Sequence, residues 1–258
     1  MNKLLLLALL AAFSIATIWM APHFGAAEYS DQIRALRLPR AALAWFSGGA
    51  LAVAGLLMQT LLRNDLATPF TLGVASSASF GAFVCFAFPS IAATIWAPPL
   101  LGFICAIATI ALIIKLGSSN LGHNGILLVG ITINFVFGAA LMIVRHLAPP
   151  YRMTKLEHWL MGSIETSSFE PAWVVATAAL LCLAIIWTKR HDLDQYSFDI
   201  KVAQARGVNV SKLMNVGLAT SGLLTAAVVT QCGPIAFIGL LVPHALRPFI
   251  GHSHKYML

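Results

Sequence analysis

Charge is the scarcest property of this sequence. Only 10% of its 258 residues are Asp, Glu, Lys or Arg, against 59% hydrophobic. A soluble domain carries about 25% charged residues. The mean hydropathy is +0.84. Together these exclude a soluble globular protein and predict a polytopic membrane protein. Every Lys, Arg, Asp and Glu falls between the long apolar runs or at their ends. A proton relay or an ion-coupled carrier usually places such a group in mid-span, because a buried charge there marks an ion path. No G-x-x-x-x-G-K-[ST] phosphate loop and no H-E-x-x-H zinc helix is present. The four cysteines, Cys85, Cys105, Cys182 and Cys232, lie inside apolar runs with no C-x-x-C pair, so they read as small hydrophobes rather than metal or redox groups. No basic stripe with interleaved aromatics is present, which removes nucleic acid as a partner. The net charge of +7 is better explained by the positive-inside bias of membrane proteins. An intramembrane enzyme would need catalytic groups at matched depth. The one serine cluster, Ser76, Ser77 and Ser79, has no mid-span His or Asp beside it.

What is present is a series of eight apolar runs, at 4–21, 41–62, 70–88, 100–116, 125–144, 172–188, 213–232 and 235–250. They predict an all-α transmembrane bundle forming a single domain over 1–258. The first run is longer than the usual signal core of about 7–15 residues, which favours a retained helix over cleavage near Gly25-Ala26-Ala27. Arg34, Arg37 and Arg40 recur every third residue, so a helical turn places them roughly on one face. Pro39 suits the start of the second helix. That helix is rich in Gly and Ala, which let membrane helices approach closely, and Gln59 is its one strongly polar member. A short helix is expected around 156–160. Gly233-Pro234 separates the last two runs. The eighth is short for a span and contains Pro243, which predicts a broken or tilted helix.

With Lys3 inside, alternation places 63–69, 117–124, 189–212 and 247–258 inside, and 23–40, 89–99 and 145–171 outside. Ten basic residues then lie inside and six outside, the expected sign of bias. The stretch 189–212 holds five basic and three acidic residues between two apolar runs. It reads as a water-exposed loop, with a short surface helix over 198–208, that meets a soluble partner. A chain with neither an ion-coupling group nor an ATP site needs such a partner as its energy source.

Four segments resemble the FecCD-type permeases of bacterial ABC importers for iron–siderophore complexes, heme and vitamin B12. They are Leu36-Arg37-Leu38-Pro39-Arg40; Gly55-Leu56-Leu57-Met58-Gln59 with Arg63-Asn64-Asp65-Leu66-Ala67-Thr68-Pro69 and Leu72-Gly73-Val74; Trp159-Leu160-Met161-Gly162-Ser163; and Gly233-Pro234-Ile235 through Gly239, Pro243, His244 and Arg247. The resemblance implies a permease of the inner membrane, paired with a second permease (itself or a paralogue). It implies two cytoplasmic ATPase subunits that hold ATP and Mg, and a periplasmic binding protein. No cofactor or metal is implied on this chain, and no covalent chemistry. Arg37 and Arg40, with Arg34 one turn before, are expected to dock the binding protein. Ala203, Gly207 and Val208 match the family's ATPase-coupling pattern, and Arg206 departs from it where an apolar residue is usual. Gly233, Pro234 and Pro243 are expected to break or kink helices, with His244 and Arg247 holding neighbours at the inner boundary. The family has ten helices, and the resemblance covers the first eight. The implied cargo is a ferric siderophore, with heme or vitamin B12 as alternatives.

Overall fold

A computed structural model describes residues 3–24, 30–88, 96–117, 122–149, 157, 159–251 and 253–258. The possible cut at Gly25-Ala26-Ala27 and two residues, 156 and 158, of the helix expected around 156–160 lie outside them, while 157, 159 and 160 are helical. Among the described residues there are eleven α-helices and no strand. They are α1 (Lys3–Met20), α2 (Asp31–Leu62), α3 (Val74–Ala87), α4 (Ala97–Gly117), α5 (Gly122–Leu147), α6 (Glu170–Thr188), α7 (Arg190–Phe198), α8 (Ile200–Ala205), α9 (Val210–Cys232), α10 (Ile238–Ile250) and α11 (His254–Met257). The all-α bundle is as expected. Five of these helices, rather than eight, are long and apolar enough to cross a membrane. The apolar helices at Ala8–His23, Val74–Ala87 and Ile238–Ile250 are shorter.

The helix α2 is the axis of the bundle and packs against α6, α9 and α10. At 32 residues it is about 48 Å long, more than the roughly 30 Å of hydrocarbon it must cross. Its start corrects the expectation from Pro39. Ser30 caps it, accepting from the Ile33 amide at 3.3 Å, and Asp31 favours the positive helix end. Pro39 lies buried inside the helix, a placement that membrane helices tolerate when neighbours satisfy the freed backbone. One apolar core unites α2, α3, α4, α7 and α9 through Leu57, Leu61, Ala78, Ile110, Leu193 and Val229. A second lies between α2, α6 and α9, around Leu51, Val175 and Val228.

The tightest crossing is α2 against α10. A Cβ built on Gly55 would lie 1.8 Å from the Gly239 carbonyl oxygen, and one on Gly239 would lie 2.9 Å from the Leu51 oxygen. The two backbones touch, and only glycine permits that. This crossing also explains why the expected break at Pro243 is absent. The helix α10 runs unbroken over Ile238–Ile250, with both Pro243 and Pro248 inside it. Pro243 has no amide hydrogen to give the Gly239 carbonyl one turn back. The Gln59 side-chain amide donates there instead, at 3.4 Å, and to the Leu240 carbonyl at 3.3 Å. Gln59 is fully buried, so this amide replaces a helical hydrogen bond that the sequence has removed.

These contacts predict opposite outcomes for two glycines on one helix. Gly55→Ala forces backbone against backbone and should lower stability by about 1–3 kcal/mol, the usual range for overpacking. Gly48→Ala meets nothing within 4 Å and should leave stability unchanged or slightly raised. Thermal unfolding of the detergent-solubilised chain, followed by size-exclusion chromatography, compares the two.

Candidate functional site

Loops that alternation places on one side do gather at one end of the bundle. The turn after α2, the pair α7–α8, the end of α10, and α11 all meet there. The stretch 189–212 is more ordered than a solvated loop with one helix. Most of it is helical, in two short helices set at an elbow and the first turn of the next span. Asp199 makes the elbow. Its backbone is extended, and its carboxylate accepts from the Val202 amide at 2.9 Å to start α8. The end of α8 is a two-bond cap. Val208 N donates to the Ala203 carbonyl and Gly207 N to the Gln204 carbonyl, both at 3.0 Å. Gly207 sits at φ +86°, the left-handed conformation this cap needs. Asn209 then caps α9 through the Lys212 amide at 2.9 Å.

Burial divides the four residues of the coupling pattern. Ala203 and Val208 are buried in the core, while Arg206 and Gly207 are exposed. Ala203 and Val208 therefore shape the turn from within. The outward surface is made by Phe198, 81% exposed, and by Lys201, Val202 and Arg206.

Two contacts fix the elbow to α2, one directly and one through α11, and neither was evident in the sequence. Tyr196 is fully buried, and its hydroxyl donates to the Leu61 carbonyl at 2.8 Å, one of the last carbonyls of α2. Burial pushes the Tyr196 phenol up to about 12, with the Arg63 guanidinium pulling the other way. Asp194 on α7 faces the buried His254 of α11. Its Oδ1 accepts from the His254 backbone amide at 2.7 Å and lies 2.7 Å from Nδ1. The other ring nitrogen, Nε2, lies 2.9 Å from the Thr60 Oγ1 of α2. One imidazole thus joins α2, α7 and α11. Arg247 of α10, a residue expected to hold neighbours, forms an ion pair with Asp65 in the turn after α2. His244, its expected companion, is exposed. A polar cavity of about 210 Å³ lies among Gln59, Thr60, Arg63, Asp65, Arg247 and His254.

The remaining candidates lie toward the opposite end. Arg37 donates to the Pro22 carbonyl at 3.1 Å, and Arg40 to the Thr166 carbonyl at 3.2 Å, while Arg34 is exposed on the first turns of α2. Gly233 ends α9 at φ +70° and Pro234 follows it. The Trp159–Ser163 segment folds onto this break, with Ser163 N donating to the Cys232 carbonyl at 2.8 Å. Among the described residues no three His, Cys, Asp or Glu side chains gather closely enough to hold a metal ion.

An all-helical bundle with several apolar spans and a structured polar elbow at one end defines a multi-pass membrane permease. The chain belongs to the FecCD transport family, whose profile matches residues 4–258. It is 33% identical over 248 residues to the Fe(3+) dicitrate transport system permease protein FecD of Escherichia coli, covering 95% of this chain and 75% of that one. It is 33% identical over 234 residues to the hemin transport system permease protein HmuU of Yersinia pestis, covering 86% and 68%. The fold also matches a solved metal-chelate type ABC transporter in an inward-facing conformation, with a TM-score of 0.88 and 26% identity over 98% of this chain and 83% of that one. The chain spans about two thirds to three quarters of the length of these curated relatives. It is a multi-pass protein of the inner membrane.

Removing the Tyr196 hydroxyl tests the elbow's attachment. Tyr196→Phe should cost about 1 kcal/mol near neutral pH, the typical net value of one hydrogen bond. The sign of the pH dependence follows from the raised phenol. Below pH 10 the phenol is neutral in the folded and unfolded chain, and the contribution is complete. As pH rises from 10 toward about 12 the unfolded chain loses the proton first, and the contribution is lost. The stability difference between wild type and Tyr196→Phe should therefore shrink across that window. Chemical unfolding of both proteins at stepped pH measures it.

Proposed function

We propose that this chain is the permease subunit of an ABC importer that moves a ferric siderophore across the inner membrane. The observation that carries the proposal is the elbow α7–α8. It presents Phe198 to solvent while Tyr196, Asp194 and Ala203 tie it to the transmembrane core. An exposed aromatic on a rigidly held helical corner is a handle for a soluble partner. Here that partner is a separate ABC ATPase, present in two copies, which binds ATP and Mg and lies on the cytoplasmic side. This chain holds no cofactor of its own. ATP-driven closure of the ATPase pair displaces the elbow, and α2, α9 and α11 follow because they share its contacts. The chain pairs with a second permease, itself or a paralogue, around a central path, and alternating access moves the cargo. Arg34, Arg37 and Arg40 at the opposite end dock an acidic periplasmic binding protein.

Similarity at 33% to both FecD and HmuU supports a metal-chelate cargo. A ferric siderophore is the first reading, with heme or vitamin B12 as alternatives.

Two measurements test this. Affinity capture of the candidate ATPase by the membrane-expressed chain should succeed for wild type and fail for Phe198→Asp, which puts a charge on the handle. Capture that survives Phe198→Asp would place the contact elsewhere. Proteoliposomes holding the assembled importer should take up a ferric siderophore only with ATP inside the partner's compartment. Uptake of hemin alone would reassign the cargo.

A further inference from the structure

A groove of about 360 Å³ lies between the start of α7, the end of α8 and the start of α9. It lies at the base of the elbow. Its depth follows from the spans. Lys189 is the residue after α6, and Lys212 is the third residue of α9, so the groove opens where two neighbouring spans leave the hydrocarbon. Three cations line it, Lys189, Arg206 and Lys212, against one carboxylate, Asp192. Asp192 already pairs with Lys189 at 3.4 Å. Arg206 and Lys212 make no ion pair among the described residues, which leaves two cations facing the groove uncompensated. Gln195 also lines it, and its Oε1 is buried without a hydrogen-bond partner among the described residues. An acceptor of that kind calls for a hydroxyl or a water. At the same level the exposed Trp187 carries the Arg190 guanidinium 4.7 Å above its ring, an arrangement suited to the headgroup layer.

We infer that this groove binds the headgroup of an anionic phospholipid that also carries hydroxyls, of the phosphatidylglycerol type. Arg206 and Lys212 take the phosphate through charge-assisted hydrogen bonds. A headgroup hydroxyl donates to Gln195 Oε1. This assignment uses only the membrane position of the two spans and does not depend on the transport reading. It also gives a use to Arg206, the position where an apolar residue is usual in the family that the sequence resembles. The lipid would then brace the base of the elbow where its two spans diverge.

The test is native mass spectrometry of the full chain released from nanodiscs of phosphatidylglycerol and phosphatidylcholine in equal amounts. Wild type should retain phosphatidylglycerol selectively. Neutralising an interfacial basic residue should lower that selectivity about fivefold, so Arg206→Gln with Lys212→Gln should lower it about thirtyfold. Lys115→Gln, an exposed cation near the end of α4 that does not line the groove, should leave it unchanged. Arg206→Gln alone, at an exposed residue, gives the fivefold arm if the double variant does not fold. Equal selectivity in wild type and variant, or an equal loss with Lys115→Gln, overturns the site. Displacement of the lipid by inorganic phosphate assigns the groove to a free anion instead. Displacement by the bound ATPase assigns it to an acidic protein segment.

Discussion

The backbone contact between Gly55 and Gly239 is the constraint on which the functional end of the bundle depends. It brings α10 close enough to α2 for the Gln59 side chain to reach the Gly239 and Leu240 carbonyls. That reach keeps α10 continuous past Pro243. A continuous α10 delivers Arg247 to Asp65, and the chain then turns back so that His254 enters between Thr60 and Asp194. Asp194 belongs to α7, which Tyr196 also pins to the last turn of α2. Each step positions the next, and the sequence of contacts begins with two hydrogen atoms where any other residue would place a carbon.

This ordering gives the elbow a particular mechanical character. It is not a tether between two spans but a body attached to α2, α9 and α11 by buried groups. A force applied at Phe198 passes to α2 through packed side chains and through carbonyls at its end, with little slack to absorb it. Packed interiors behave this way because they are close to crystalline density. The cavity beneath the junction sets polar side chains between the end of α2 and the residues of α10 and α11.

Much of this was legible in the sequence, and the failures share a cause. The apolar runs gave the membrane class and the all-helical bundle, though five rather than eight of the described helices are long enough to span, and they gave the grouping of loops at one end. The charged stretch 189–212 stood out because nothing like it can lie in hydrocarbon. The two prolines were misread, Pro39 as a helix start and Pro243 as a break, because local rules assume that a lost backbone hydrogen bond stays lost. For Pro243 it is restored by Gln59, 184 positions earlier in the chain. His254 and Asp194 looked like ordinary polar residues of a tail and a loop, since their pairing spans 60 residues and leaves no periodic trace. Tyr196 gave no signal beyond its apolar body within a charged stretch.

The central claim is that Gln59 acts as the stand-in for the amide hydrogen missing at Pro243. A double-mutant cycle on thermal unfolding tests it directly, using Gln59→Leu, Pro243→Ala and the pair. Gln59→Leu alone should be destabilising, because it leaves the Gly239 carbonyl buried and unpaired. In the Pro243→Ala background the restored amide should take that carbonyl, and the same substitution should cost about 1 kcal/mol less. Strictly additive effects would contradict the account, and would mean that α10 owes its continuity to packing alone.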